Sequence, residues 1–378
     1  MAIDQWADRL AALRTVRIDR RRCLPLLSPR CDCTACREIC PEGAIDPGRA
    51  QVKECSTCGL CAAVCPADAI RLDDPSDQEI LHRAAELARR SAQLTLVCRE
   101  GGADGLKVGC LGRLSPELLL AAVACGFTAV SLVRDPGRCR ACPCGHGMAL
   151  AEEACRAAQG VLDRLHHPAR LRLAESAEPP AGAGRPSSPA ERPLHGERRR
   201  FLLAAFDLLR EALPLAPRPA VAEPAEARPN RRRDLLLWAA ERLGEAGLEG
   251  APWGRGSPAL QATCHHCGVC QRLCPNGALQ SEGGALTLTP GRCHSCGLCL
   301  RVCPTGALVM GAPRPLGEIL SGAALPLGTP ASGHCARCGE EASLTLPAAA
   351  PEAEPLCLPC SLRRPPASPS PEQEVCCP

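Results

Sequence analysis

Apolar residues at helical spacing mark six stretches of the chain, and short unbroken apolar runs mark three more. The first helix is expected within residues 1–22, where Trp6, Leu10 and Leu13 share a face and lead into Arg20, Arg21 and Arg22. Leu24 to Leu27 is too short, and too broken by Pro25, for a signal-sequence core or a membrane span. Residues 76–91 read as an amphipathic helix, with Ser76 as N-cap and Glu79 at capping-box spacing. Buried-strand patterns follow at 94–98 (LTLVC) and 106–110 (LKVGC). A helix capped by Ser115, with Pro116 at its first position, then runs to Gly126. A third strand pattern, TAVSLV at 128–133, precedes a helix from about Met148 to Leu165. Strands alternating with helices predict a small parallel sheet, whose sites form at the carboxyl ends of the strands. Cys98, Cys110 and the group Cys139, Cys142 and Cys144 fall at such ends. Cys125 and Cys155 lie inside helices and read as packing residues.

From Ala174 to Pro193 the periodicity disappears into Ala, Pro, Gly and Ser, the composition of a linker. Amphipathic helices are expected at 197–213 and 231–247, separated by a second linker at 214–230. Neither has a core of its own, so each must pack on a neighbouring module or on a partner subunit. The arginine runs 198–200 and 231–233 precede these helices and read as solvated helix starts.

Composition changes the picture. The 378 residues are enough for two or three domains, yet there is no Tyr, with three Phe and three Trp. Large side chains that dominate core burial are therefore scarce, and thirty Cys stand in as staples. Disulfide-dense scaffolds are small and secreted. Residues 1–22 read as a short amphipathic helix and not as a secretory leader, so metal ligation in a reducing cytoplasm is the expectation. A formal net charge of +3 makes no case for nucleic acid, and no apolar run approaches the eighteen residues of a membrane span.

The cysteines are spaced, not scattered. CHHCGVCQRLCP from Cys264 and CHSCGLCLRVCP from Cys293 each spell C-x2-C-x2-C-x3-C-P, the run that holds [4Fe–4S] cubes. Three cysteines of a run ligate one cube and the fourth is carried by the following proline to the other. One site is then Cys264, Cys267, Cys270 and Cys303, and its neighbour is Cys293, Cys296, Cys299 and Cys274. The device recurs earlier. CSTCGLCAAVCP supplies Cys55, Cys58 and Cys61, to be joined by Cys40. The partner half, CDCTACREICP, has Arg30 where a cysteine is wanted, with Cys31 one place late. Either Cys31 is a shifted ligand beside Cys33, Cys36 and Cys65, or that cube has an altered corner. A loop absorbs one residue, so Cys31 is the expected ligand. The repeat continues past the ligands as PEGAI, PADAI, PNGAL and PTGAL. These segments resemble two bacterial two-cluster ferredoxins, over about 31–72 and 264–310.

The middle stretch, about 92–165, resembles the delta iron–sulfur subunit of methyl-viologen-reducing hydrogenases, the [2Fe–2S] partner of heterodisulfide reductase. A strand ending in Cys98, GGAD at 101–104, Cys110-Leu-Gly-Arg before a helix, and Cys139-x2-Cys142 carry the likeness. That family opens on a paired cysteine, whereas Cys98 is followed by Arg99 and Glu100, and Cys144 is a candidate replacement. The resemblance implies a [2Fe–2S] centre among Cys98, Cys110, Cys139, Cys142 and Cys144, with hydrogenase, formate dehydrogenase or heterodisulfide-reductase-like subunits as redox partners.

The tail carries Cys335-x2-Cys338 and Cys357-x2-Cys360, a zinc-ribbon spacing that a rubredoxin-like iron centre would share. Cys376 and Cys377 have no partner in view and read as part of a disordered end. His265, His266 and His294 follow first cysteines and read as polar neighbours of the sites, not ligands. No dinucleotide fingerprint, P-loop or haem-attachment motif is present, so no catalytic residue is assigned, and whether the chain is itself an enzyme stays open.

The expected architecture is α+β and multidomain. It comprises a lead-in helix (1–30), a ferredoxin-like module (31–75), a small α/β cysteine module (76–170), a linker with two helices (171–255), a second ferredoxin-like module (256–312), a zinc-ribbon-like motif (330–364) and a tail (365–378). Electron transfer through about four [4Fe–4S] clusters, as a cytoplasmic polyferredoxin subunit or carrier of a larger oxidoreductase, is the function this predicts. The alternative is a redox-sensing or cluster-assembly scaffold built on the same clusters and the ribbon.

Overall fold

In the computed structural model, which describes residues 16–53, 55–73, 75–176, 231–244, 249–348 and 356–363, the largest sheet has four strands. Their order is Leu106–Val108, Gln93–Cys98, Ala129–Arg134 and Arg170–Glu175, and every pairing is parallel. The expected caps are in place: the Ser76 hydroxyl accepts from the Glu79 amide at 3.1 Å, and Ser115 from Leu118 at 3.2 Å. The fourth strand was not foreseen. It lies at the sheet edge with alternately exposed residues, next to the composition that reads as linker.

Helix Pro116–Ala124 is apolar all round because both of its faces are covered. One lies toward the sheet; the other takes helix Arg231–Leu243, whose Leu236 and Ala239 join the same core as Leu118 and Leu119. The second apolar helix candidate, 197–213, and residues 1–15 of the first lie outside the described residues. Residues 16–18 are not helical. They form a strand antiparallel to Ile70–Leu72, which closes the first cysteine module.

The two cysteine modules share one plan. In the first, Val16–Ile18 pairs with Ile70–Leu72 and Ile45–Asp46 with Gln51–Val52. In the second, Ser257–Leu260 pairs with Leu308–Gly311 and Leu279–Glu282 with Ala285–Leu288. The apolar residue closing each four-fold repeat (Ile45, Ile70, Leu279 and Leu308) is buried. A hairpin of Thr329–His334 with Glu341–Leu346 follows, and helix Leu358–Leu362 carries the last described cysteine pair.

The modules touch. Leu298 and Val302 of the second are buried in the core of the first, beside Val16, Cys33 and Ile70. Arg231, Arg232 and Arg233 are not a solvated helix start. Arg231 donates to the Ile70 carbonyl at 2.8 Å, Arg232 to the carbonyls of Ala62 and Ala63, and Arg233 to the Cys293 carbonyl at 2.8 Å. The helix N-terminus dips between the modules, where backbone oxygens and Asp68 replace water. Arg22, Arg231 and Arg232 approach Asp68 at 3.9, 3.5 and 3.9 Å. Burial pushes the Asp68 carboxyl up, and the three guanidiniums oppose that shift. Asp68 has φ +50° where the other three repeats have Gly43, Gly277 and Gly306 in the same left-handed region. Its strain, about 1 kcal/mol, is carried to place a carboxylate among arginines.

Close backbone approach docks the α/β layer on the first module. The Cys110 amide donates to the Cys58 carbonyl at 2.9 Å, and Arg99 donates to the Thr57 hydroxyl at 2.6 Å. A Cβ on Gly147 would lie 2.6 Å from Leu60 Cδ2 and 3.0 Å from Cys110 Sγ. Gly147→Val is therefore expected to destabilise by about 1–3 kcal/mol. Gly160→Ala in the same helix, whose Cβ meets nothing within 4 Å, should be neutral or stabilising. Denaturation of the two variants side by side checks this, and equal stabilities would refute the tight docking.

Candidate iron–sulfur sites

Four sets of cysteines converge, and they follow the exchanged pattern. Cys264, Cys267, Cys270 and Cys303 line one cavity (site D), and Cys274, Cys293, Cys296 and Cys299 line another (site C). Cys40, Cys55, Cys58 and Cys61 act on one another electrostatically (site A). A fourth cavity (site B) is lined by Cys33, Cys36 and Cys65 together with Cys23, a residue that the repeat does not point to. Cys31 does not line that cavity.

The repeat explains how the chain reaches each site. In all four copies the amide four residues past the last cysteine donates to its sulfur. These are Ala44 to Cys40 (3.3 Å), Ala69 to Cys65 (3.2 Å), Ala278 to Cys274 (3.3 Å) and Ala307 to Cys303 (3.3 Å). Thr57, His266 and Ser295 hold left-handed conformations between the first two cysteines of their runs. Gly59, Gly268 and Gly297 repeat that conformation just after the second. Two left-handed turns in succession wrap the chain around a centre instead of continuing a helix.

Burial governs the thiols. It pushes Cys36 up to about 12, with Cys65, Cys33 and Cys23 adding to the shift. Cys270 also rises to about 12 and Cys293 to about 11, while Cys61, Cys296 and Cys299 rise further still. Bare thiolates would thus not persist here, and a bound cation that pairs with them removes the penalty. Amide donors aimed at sulfur, four thiols per centre and dry walls suit iron–sulfur clusters.

The sites form a row. Cys61 of site A feels Cys36 of site B. Cys296 of site C packs against the core that holds site B. Cys299 of site C feels Cys270 of site D.

Beyond site A lies a cavity of about 460 Å³ at the carboxyl ends of the parallel strands. Cys98, Cys110, Cys139, Cys142 and Cys144 line it, and so does Cys58. Cys98, Cys139 and Cys142 act on one another, and Cys110 feels Cys98, Cys58 and Cys142. Cys144 faces the Cys58 thiol and is acted on by Cys142 and Cys110 as well. Burial pushes Cys110 up to about 12. Cys155 is buried in the sheet core and Cys125 packs at its edge.

At the other end of the row Cys335, Cys338, Cys357 and Cys360 bring their sulfurs within 4.8 Å of one another. A tetrahedral ion with metal–sulfur bonds of about 2.3 Å sets sulfurs about 3.8 Å apart, so the set fits one. Backbone amides hold Cys335 down to about 6, Cys357 foremost among the partners. This hairpin is tied to site D. Cys264 and Thr345 exchange backbone hydrogen bonds at 2.9 and 3.0 Å, and the buried Thr345 hydroxyl contacts His266 Nε2 at 2.8 Å. Leu358 lines the site D cavity. His294 is half-buried, and desolvation followed by Arg233, Arg232 and Arg22 pushes its pKa well down. No described helix is long and apolar enough to cross a membrane.

Comparison with known proteins agrees with this chemistry. A family model described as a 4Fe-4S dicluster domain matches residues 263–307, the segment that holds sites C and D. An uncharacterised ferredoxin of Methanocaldococcus jannaschii is 36% identical over 69 residues, which cover 17% of this chain and 42% of that protein. The chain thus spans less than half the length of that relative. No solved structure matches it. A mixed α/β chain with a ferredoxin-type iron–sulfur domain is what these findings support.

The tie between the C-terminal set and site D yields a prediction. Cys360→Ser should lose the metal of the C-terminal set, read by elemental analysis, and speed amide exchange at Cys264 and Thr345. Unchanged exchange in a metal-depleted variant would break the link.

Proposed function

We propose that the chain is an electron-transfer protein, a polyferredoxin that carries electrons along sites A to D as a subunit or carrier of a larger oxidoreductase. The observation that carries this reading is the unbroken row: each cysteine set acts on or packs against the next. Bound there, [4Fe–4S] clusters supply reversible one-electron chemistry, tuned by hydrogen bonds and burial. The protein's part is to orient the thiols, exclude water and keep the sets adjacent. The repeat amides and apolar anchors do the first two, and the arginine junction does the third.

The α/β cavity extends the row past Cys58. Cys98, Cys110, Cys139 and Cys142 form the more self-contained set there, suited to a [2Fe–2S] centre. Cys144, turned toward Cys58, is a bridge to site A. The resemblance to the hydrogenase delta subunit favours a hydrogenase, formate dehydrogenase or heterodisulfide-reductase-like partner at this end. Zinc suits Cys335, Cys338, Cys357 and Cys360 as a clasp beside site D.

Anaerobically purified protein should carry about sixteen iron atoms in four cubes, plus two more with a [2Fe–2S] centre. Reduced protein should show [4Fe–4S]+ signals by electron paramagnetic resonance (EPR) and pass electrons rapidly from a low-potential donor to an acceptor. A protein that instead hands whole clusters to an apo-acceptor would be the assembly scaffold. Zinc in place of iron at sites A to D would sink both readings.

A further inference from the structure

We propose that Cys23, not Cys31, is the fourth ligand of site B, so that the corner missing from the repeat is supplied from upstream across a nine-residue spacer. The proposal rests on reading sites A to D as cube sites and adds a ligand that the repeat does not predict.

Placement is the first argument. Cys23, Cys33, Cys36 and Cys65 line one cavity. All four are buried in one cluster with Val16, Ile45 and Ile70. The Cys23 sulfur contacts the Pro47 carbonyl at 3.7 Å, across the same cavity wall. As a thiol it directs its proton there; as a ligand that proton is lost. Cys31 is as deeply buried, yet it lines no part of the cavity.

Topology is the second. Each module opens on an edge strand that pairs antiparallel with the strand after its last cysteine. In the second module the first cysteine past that strand is Cys264, four residues after Leu260. In the first module it is Cys23, five residues after Ile18. Cys23 and Cys264 are therefore counterparts. What differs is the distance to the second ligand, two intervening residues from Cys264 to Cys267 and nine from Cys23 to Cys33.

The local backbone explains why the longer path is needed. Cys58, Cys267 and Cys296 are each followed by a left-handed glycine, whereas Cys33 is followed by Thr34 at φ −120°. The residue just before the second ligand is also left-handed in the other three runs (Thr57, His266 and Ser295), but Asp32 before Cys33 is not. The chain entering Cys33 thus lacks the turn that brings a ligand three positions upstream back onto the site. The extra residues fold into helix Leu24–Leu27, with Cys23 as its N-cap residue and Leu24 buried beneath it. The Cys23 amide donates to the Asp19 carbonyl at 3.0 Å, which fixes the start of the spacer. Arg22, the residue before it, is 2% exposed and faces Asp68 in the junction between modules. The upstream ligand thus also ties site B to that junction.

Serine variants of Cys23 and Cys31 test this in the full-length protein, with the wild-type EPR spectrum as reference. A cube with three protein thiolates keeps one exchangeable iron. Ferricyanide takes one electron from such a [4Fe–4S]2+ cube, which releases Fe2+ and leaves [3Fe–4S]+. Cys23→Ser should give this three-iron signal, at about one per protein, or lose one cube's iron outright. Cys31→Ser should keep the wild-type iron content and spectrum. The reverse pattern would make Cys31 the ligand, and wild-type behaviour in both variants would exclude each; either result overturns the proposal. If Cys23→Ser does not fold, Cys31→Ser decides alone, because any loss of cube iron there contradicts the assignment. Absence of [4Fe–4S] signals from the wild-type protein would instead defeat the cube reading itself.

Discussion

Thiols taken out of water without a counter-charge are the constraint on which this molecule depends. Each cysteine set is walled by apolar side chains and by the next set, and burial raises the thiols it encloses. A protein with no Tyr and six other aromatic residues cannot fill such volumes with large side chains. Metal–sulfur centres, bound as proposed, would both occupy the space and neutralise the ligands, so that cofactor and core become the same object. The parallel-sheet core is the contrast. It closes mainly with Leu, Val and Ala, joined by Ile80, Phe127 and Met148, and its one buried cysteine, Cys155, behaves as a small apolar residue.

What could be read in the sequence follows from this division. Where spacing repeats, as in the three full cysteine runs, the sets that the structure gathers at sites A, C and D are legible in the sequence. The caps at Ser76 and Ser115 are legible because they are local. Cys23 is hidden, since a ligand across nine residues carries no spacing signal. The one available hint was the defect itself: a missing corner asks for a cysteine elsewhere, and Cys23 stands eight positions before Cys31. The edge strand Arg170–Glu175 is hidden for another reason: a half-exposed strand beside a linker lacks a continuous apolar run.

The arginine run at 231–233 shows a third kind of illegibility. Charge ahead of an apolar helix normally means solvent, and only the fold reveals the carbonyls of Ala62, Ala63, Ile70 and Cys293 waiting for it. A buried guanidinium is tolerated when hydrogen bonds and a carboxylate meet it, and leaving either side unpaired is costly. Asp68 is that carboxylate. It occupies the one repeat position where the other copies use glycine, so the departure of PADAI from the pattern and the charge of the distant helix are two halves of one contact.

That contact also makes the two ends of the row unlike its middle. Arg232 offsets part of the burial shift at Cys65 of site B, and Arg233 with Arg314 does so at Cys293 of site C. Cys61 in site A and Cys270 in site D are acted on by burial and by other cysteines. A cation held near a thiolate in a poorly screened interior favours the more negative form of whatever that thiolate binds. The inner pair of sites is thus the more electropositive, and it is also the pair whose walls, Leu298 and Val302 against Cys33 and Cys65, are shared between modules. Joining the two cysteine modules end to end needs more than contact. Without charge at the seam, two buried anionic centres would repel across it. With anionic clusters bound as proposed, the arginines that hold the modules together stand where they also relieve that repulsion, a task that a larger apolar face could not perform.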